Sequence, residues 1–196
     1  MKILALVLTL FLSACQTYHV NLAMKVESRD VRKLPPLEAI YENEKSLKSI
    51  AAYDTTHKIN DKYATIFYRE VEKNIVSEYG QKKGRIVLTP IFHQSRIKGL
   101  WGLTPLLTLW TANILGCPIQ KYEALAELEL RILDNKGNVI KKYTSEKTDE
   151  KYVAFYWGYT DLVAIEASLI ESYKKALTDI SNQIQNDYDF LMEKLK

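Results

Sequence analysis

The stretch YEALAELELRI, residues 122–132, followed by Asp134-Asn135-Lys136-Gly137-Asn138 and Val139 to Ser145, decides the fold. Tyr122, Ala124, Ala126, Leu128, Leu130 and Ile132 take every second position, with Glu123, Glu127, Glu129 and Arg131 between them. Successive strand side chains point to opposite faces, so a period of two marks a strand with one face in a core and one in water. Asp, Asn and Gly over residues 134–138 are turn chemistry, and Val139 to Ser145 then returns as the antiparallel partner.

Working outward, Arg85 to Phe92 is dense in β-branched residues and carries Pro90, which suits a strand end or an edge. Near the N-terminus Tyr18, Val20, Leu22, Met24 and Val26 alternate with His19, Asn21, Ala23 and Lys25, which predicts a further strand. Pro35-Pro36 predicts a helix over Leu37 to about Ala52, because proline is accepted in a first helical turn. Asp54 to Lys58 reads as a loop. Tyr63, Phe67, Val71, Ile75 and Tyr79 then make one helical stripe from Asn60 or Asp61, with Gly80 as its stop. Thr160 or Asp161 opens a long last helix, its core face running from Leu162 through Ile165, Leu169, Tyr173, Ile180 and Ile184 to Leu191. The predicted order is β-α-α-β-β-β-α. It implies a two-layer α+β fold: a mainly antiparallel sheet of about four strands, two or three helices on one face, and a long C-terminal helix.

The first fourteen residues lie outside that fold. Lys2 is followed by the apolar run Ile3 to Leu12, too short for a permanent span, which takes about 20 apolar residues. A charged start, a short apolar core and small residues before a cut describe a secretory signal peptide. The run ends Leu12-Ser13-Ala14-Cys15, which resembles the lipobox of bacterial lipoproteins. That resemblance implies cleavage before Cys15, acylation of its thiol (palmitate among the chains) and a membrane-held product. It also gives Gln16 a meaning. Aspartate after the cysteine commonly retains such proteins in the inner membrane, so glutamine points to the outer membrane of a Gram-negative envelope. Residues 15–196 are then a single α+β domain. A lipidated cysteine leading directly into a small α+β domain is similar in element order to penicillin-binding-protein activator lipoproteins, curli-secretion-type lipoproteins and auxiliary transport lipoproteins. No functional residue carries over from them.

Without Lys2 the chain has 26 basic against 24 acidic residues, a balance that argues against a nucleic-acid partner. With Cys15 lipidated, Cys117 is the lone remaining thiol, so no intrachain disulfide can form.

From Gly99 to Gln120, 22 residues pass without a charge. Gly102 and Pro105 break the run, and Thr104-Pro105 reads as an N-cap and first turn. Gly116 and Pro118 read as the helix end, setting an apolar segment at 99–118. The predicted helix, Pro105 to Leu115, is roughly 16 Å long, about half a hydrocarbon core, and sits between two strands of one sheet. It does not cross a bilayer. In an antiparallel meander this connection leaves one end of the sheet, and the loop after the last strand returns to that end. Trp101, Leu103, Leu106 and Trp110 should therefore share a pole with Tyr152, Phe155, Tyr156 and Trp157. Three readings stand for that pole: core folded over the sheet, contact with the membrane interface, or a surface for an envelope protein partner or a second copy.

Catalytic chemistry is not found. His19, His57 and His93 have no partner at metal spacing, and no nucleophile elbow, zinc-protease or phosphate-loop motif occurs. Glu123, Glu127 and Glu129 share a strand face, which reads as a solvated surface. The sequence thus predicts a non-enzymatic envelope lipoprotein without cofactor or metal, held to a membrane by Cys15. It binds a partner or itself through the pole; the alternative is a lipid- or small-ligand-binding lipoprotein.

Overall fold

The computed structural model describes residues 24–42, 56–99, 101–155 and 157–196. Its strands are β1 (Glu38–Tyr41), β2 (Gly84–Ile97), β3 (Gln120–Asp134) and β4 (Val139–Val153). The helices are α1 (Thr56–Glu70), which ends in a π-turn (Val71–Ile75), the short α2 (Thr104–Leu107) and α3 (Thr111–Ile114), then α4 (Asp161–Asn186) and α5 (Tyr188–Lys194). The sheet order is β1-β2-β3-β4, with β1 parallel to β2 and the other pairs antiparallel. This is the predicted two-layer α+β fold.

The alternation in β3 does what its period requires. Ala124, Ala126, Leu128, Leu130 and Ile132 are fully buried beneath the helices. Ile66 and Phe67 of α1 and Ile170, Tyr173, Ala176, Ile180 and Ile184 of α4 complete that layer. Each fully buried Leu or Ile there stabilises the fold by about 1.5–3 kcal/mol. A bulge between Pro90 and Phe92 inserts one residue into β2 and changes which side chains face inward. Ile86 and Leu88 point to the core before it, and His93, opposite Ala126, does so after it. On β4, by contrast, the face under α4 is polar. Ser145 donates to Asp179 at 2.8 Å, Lys147 pairs with Asp179 at 3.2 Å, and Asp149 pairs with Lys175 at 2.6 Å.

Several local expectations are corrected. Glu38–Tyr41, expected to be helical, is a strand, laid on Arg85–Leu88 with Glu38 ion-paired to Arg85 at 3.3 Å. A proline pair fixes an extended chain as readily as a first helical turn, so it could not distinguish the two. Residues 43–52 of that expected helix fall outside the described residues, as do Tyr18–Ala23 of the expected first strand; Met24–Val26 belong to no strand among the described residues. Thr56–Lys58, expected as loop, are helical. The helical run ends at Ile75 rather than Tyr79, because Val76 leaves it to bridge Leu34. Finally, β4 continues to Val153, so Tyr152 and Val153 stand on the strand and not in the loop after it.

The extended segment before β1 is clamped to the helices. The Arg29 guanidinium binds Glu70 and donates to Ser181 at 2.9 Å, and Asn74 accepts from the Arg29 amide at 2.8 Å. Arg69 donates to the Met24 carbonyl at 3.2 Å and Lys73 to that of Val26 at 3.0 Å.

Candidate docking surface

One end of the sheet is built from the end of β2, the start of β3, the end of β4 and the start of α4. The uncharged segment leaves and re-enters the sheet there. Its feet are held by Lys98 N–H donating to the Lys121 carbonyl at 2.8 Å and Ile119 N–H donating to the Val153 carbonyl at 2.7 Å. Between them the chain does not form the single helix predicted over Pro105 to Leu115. It makes a 3₁₀ turn at Trp101–Leu103, then α2, then α3. Leu109 (φ 47°) and Trp110 (φ 67°) separate the two short helices in the left-handed region, which is costly for side chains with a Cβ. Thr104 is not the N-cap but lies inside α2, its hydroxyl turned back to the Trp101 carbonyl. Thr108 and Thr111 bond backward in the same way, at 2.7 and 2.6 Å. The buried Asn113 amide closes the segment by donating to the Pro118 carbonyl at 3.1 Å.

The segment does not become core. Of residues 101–119 only Pro105 and Asn113 are buried. Leu106 is 71% exposed, Leu107 78%, Leu109 82% and Leu115 84%; Trp110 stands at 49%. The reading in which this run folds over the sheet is therefore corrected. The threonines and Asn113 of this uncharged run turn their polar groups onto its own backbone, and the helices that would have covered its leucines already bury their stripes against β3.

The aromatic residues are brought together as the topology requires. Trp101 meets Tyr152 edge-on with ring centroids 6.3 Å apart, Tyr152 lies 6.2 Å from Trp157, and Trp110 lies 5.7 Å from Phe155. Trp157 donates its indole N–H to the Gly116 carbonyl at 2.8 Å, tying the loop after β4 to the apolar segment. Trp101 and Tyr152 are half-buried; Leu103, Leu106, Trp110, Phe155 and Trp157 are exposed. Tyr156 lies outside the described residues. Sequence reasoning singled out Leu103 and Leu106 but not Leu107, Leu109, Ile114 or Leu115, which are exposed beside them. The sequence marked them as part of the same charge-free run but carried no sign of which of its residues stand uncovered.

Charges begin where the sheet begins. Lys98 binds Glu123 and, at 3.1 Å, Glu150; Arg96 pairs with Glu123 at 2.7 Å and Lys121 with Glu150 at 2.6 Å. The Lys121 ammonium also sits 5.2 Å from the Tyr152 ring centroid. Hydrogen bonds from Lys98 and Arg96 hold the Glu123 carboxyl below its usual range, and those from Lys121 and Lys98 do so for Glu150. The carboxylate row on β3, expected to be a solvated face, is ion-paired in part: Glu123 is buried beneath Arg96 and Lys98, and the half-buried Glu129 pairs with Lys142 at 2.6 Å.

His93 is buried, stacked at 4.7 Å on Tyr63 and lying 5.8 Å from Tyr173, and burial pushes it down to about 4. Neither of its ring nitrogens has a hydrogen-bond partner among the described residues. Among those residues no group of His, Cys, Asp and Glu is placed to hold a metal, and Cys117 is a half-buried free thiol. An open depression of about 430 Å³ between α4 and β4 is lined by Lys147, Glu171, Lys174, Lys175, Asp179 and their neighbours, away from the apolar segment. No described helix is long and apolar enough to cross a membrane.

No family model and no curated protein matches this chain. Among solved structures it is similar to a protein of Caulobacter crescentus assigned as a lipoprotein, at 13% identity and a TM-score of 0.39, over 82% of this chain and 92% of that one. It is also similar to a minor lipoprotein of Acinetobacter baumannii, at 14% identity and a TM-score of 0.30, over 79% of this chain and 88% of that one. Function must be argued from this chain's own residues.

Proposed function

We propose that this chain is a lipid-anchored protein of the bacterial cell envelope, without catalytic activity, that works by docking through its apolar pole. The anchor is supported by Leu12-Ser13-Ala14-Cys15 at the end of a short apolar leader, and Gln16 supports the outer membrane over the inner. One observation carries the docking function: Leu106, Leu107, Leu109, Trp110 and Leu115 are exposed together on a segment that has no charge. Contiguous apolar patches of this kind on folded proteins mark contact with another surface. A protein partner, a second copy of the chain and a lipid surface are the occupants such a patch takes. The lipid- or ligand-carrying alternative needs an enclosed groove between apolar side chains; the depression between α4 and β4 is open and lined by charged and polar side chains and gives it no support, so docking is the better-supported reading.

The test is made in cells. Replacing Cys15→Ser should remove the acyl mass from the mature chain and release it from the membrane fraction. A photoreactive residue at Leu107 should crosslink, and one at Lys136, in the turn at the opposite end, should not. A Cys15→Ser product that keeps its acyl mass ends the anchor reading; equal crosslinking from both positions ends the docking reading.

A further inference from the structure

We infer that the surface on which the pole docks is the bilayer that holds the acyl chains of Cys15, so the protein rests on its own membrane with the segment 101–119 in the interface. This inference depends on the lipid anchor proposed above and names the occupant of the same pole.

The order of side chains carries it. Most exposed are aliphatic residues, Leu106, Leu107, Leu109 and Leu115. Less exposed are the aromatics beside them, with Trp110 against Phe155 and Trp157 bonded to Gly116. Trp101 and Tyr152 are set deeper, at the sheet end. Only then come charges, Lys98 and Lys121 with Glu123 and Glu150. Hydrocarbon first, amphipathic rings next and charge last is the depth profile of a bilayer interface. Protein interfaces are built differently: their energetic centres are Trp, Tyr and Arg, and leucine is under-represented there. Here leucine forms the tip and no arginine lies in the segment.

The reach of the tether agrees. Met24 is nine residues after Cys15, and nine residues span at most roughly 30 Å. Helices α1 and α4 run the same way from the pole, since Lys62 pairs with Glu166 near one end and Arg29 joins Glu70 to Ser181 near the other. From Ser181 back to Asp161, at the pole, α4 covers 20 residues, again roughly 30 Å. Met24, bonded to Arg69, sits near the Ser181 level. A fully extended tether of that length matches the distance to Asp161, so the acyl chains can stand beside the sheet end that carries the pole. A chain so confined stays near the lipid, and a second weak apolar contact adds to the first as two anchoring signals do.

All three tryptophans of the chain, Trp101, Trp110 and Trp157, belong to the pole, so their emission reports on it alone. The acylated full chain is reconstituted into phosphatidylethanolamine–phosphatidylglycerol vesicles whose acyl chains are brominated. We expect tryptophan emission to be quenched relative to unbrominated vesicles. The double variant Leu107→Asp, Leu109→Asp should lose most of that quenching while its acyl mass and vesicle association persist. Both side chains are exposed, so folding is not at stake, and Val139→Asp, exposed at the opposite end, should leave quenching unchanged. An acylated chain whose tryptophans are not quenched overturns the inference and leaves the anchor standing. The same holds if the chain then crosslinks through Leu107 to a second copy or to another protein. Quenching that survives the double variant overturns it too. A chain without acyl mass on Cys15 overturns the anchor and this inference together.

Discussion

The two ends of the sheet are built by opposite rules. At one end β3 turns into β4 through Asp134–Asn138, where the Asp134 carboxylate accepts from the amides of Lys136 and Asn138, both at 2.8 Å. Gly137, at a φ of 86°, takes the left-handed position that the turn requires. The Asn138 side-chain amide, donating at 3.0 Å, and then those backbone bonds hold the Asp134 carboxyl below its usual range. At the other end the connection is long, and beside Gly99 and Gly116 it places Leu109 and Trp110 in the left-handed region. A turn that only reverses the chain uses short polar residues that satisfy their own backbone. A connection that spends leucine and tryptophan on strained, exposed positions is shaped for contact with something else.

The largest predicted effect comes from the glycines that pin each end. A Cβ at Gly158, whose φ is 79°, would lie 2.5 Å from the Tyr152 carbonyl oxygen; at Gly84, beside the polar turn, it would lie 2.1 Å from that of Leu133. Gly158→Ala combines backbone strain with a clash and should cost roughly 3–4 kcal/mol. Gly84→Ala has the clash alone and should cost about 2 kcal/mol, both read by urea unfolding. Only Gly158→Ala should also loosen the tryptophans, seen as a red-shifted emission in the folded state.

Next is a response of the shared core that the poles should feel equally. Burial lowers His93 from 6.5 to about 4, so the folded state resists protonation more than the unfolded chain does. Stability is then full above pH 6.5 and declines as pH falls toward 4, by about 3 kcal/mol in all. His93→Phe, which keeps the ring stacked on Tyr63, should flatten that pH dependence, measured as the unfolding midpoint from pH 7 to 4.

Smaller, and of opposite sign, is the effect of relieving strain at the apolar tip. Leu109→Gly removes an exposed side chain from a left-handed backbone and should stabilise the fold by up to about 1 kcal/mol. A loss of stability would mean that Leu109 is packed against something within the chain. Smallest is Asp134→Asn at the polar turn, which keeps the side-chain acceptor but not its charge; the melting temperature should fall slightly, and tryptophan emission should not change.

The contrast between the poles also shows what a sequence makes legible. The β3–β4 hairpin, α4 and the convergence of the two aromatic segments follow from parity and periodicity, since a strand or helix with one buried face must write that face into its pattern. The length of β4 does not follow, because Ser145, Lys147 and Asp149 face α4 through hydrogen bonds and ion pairs and leave no apolar alternation. Nor does β1: after Pro35-Pro36, Glu38–Tyr41 is too short to show a period, and its strand character comes from pairing with Arg85–Leu88. The bulge that turns His93 inward is set by the register with β3 and is likewise silent. At the pole, which residues gather was readable, but whether they are covered was not. An uncharged run looks the same whether it lies under a helix or in front of one, and only the three-dimensional placement of α1 and α4 distinguishes the cases.

The central claim is best tested by hydrogen–deuterium exchange on the acylated chain in vesicles, compared with the Cys15→Ser chain free in solution. The account predicts slowed exchange over residues 101–119 and 154–158 on the vesicles, with Asp134–Asn138 unchanged. Equal exchange of the apolar segment in both states, or protection that appears at the polar turn instead, would contradict it.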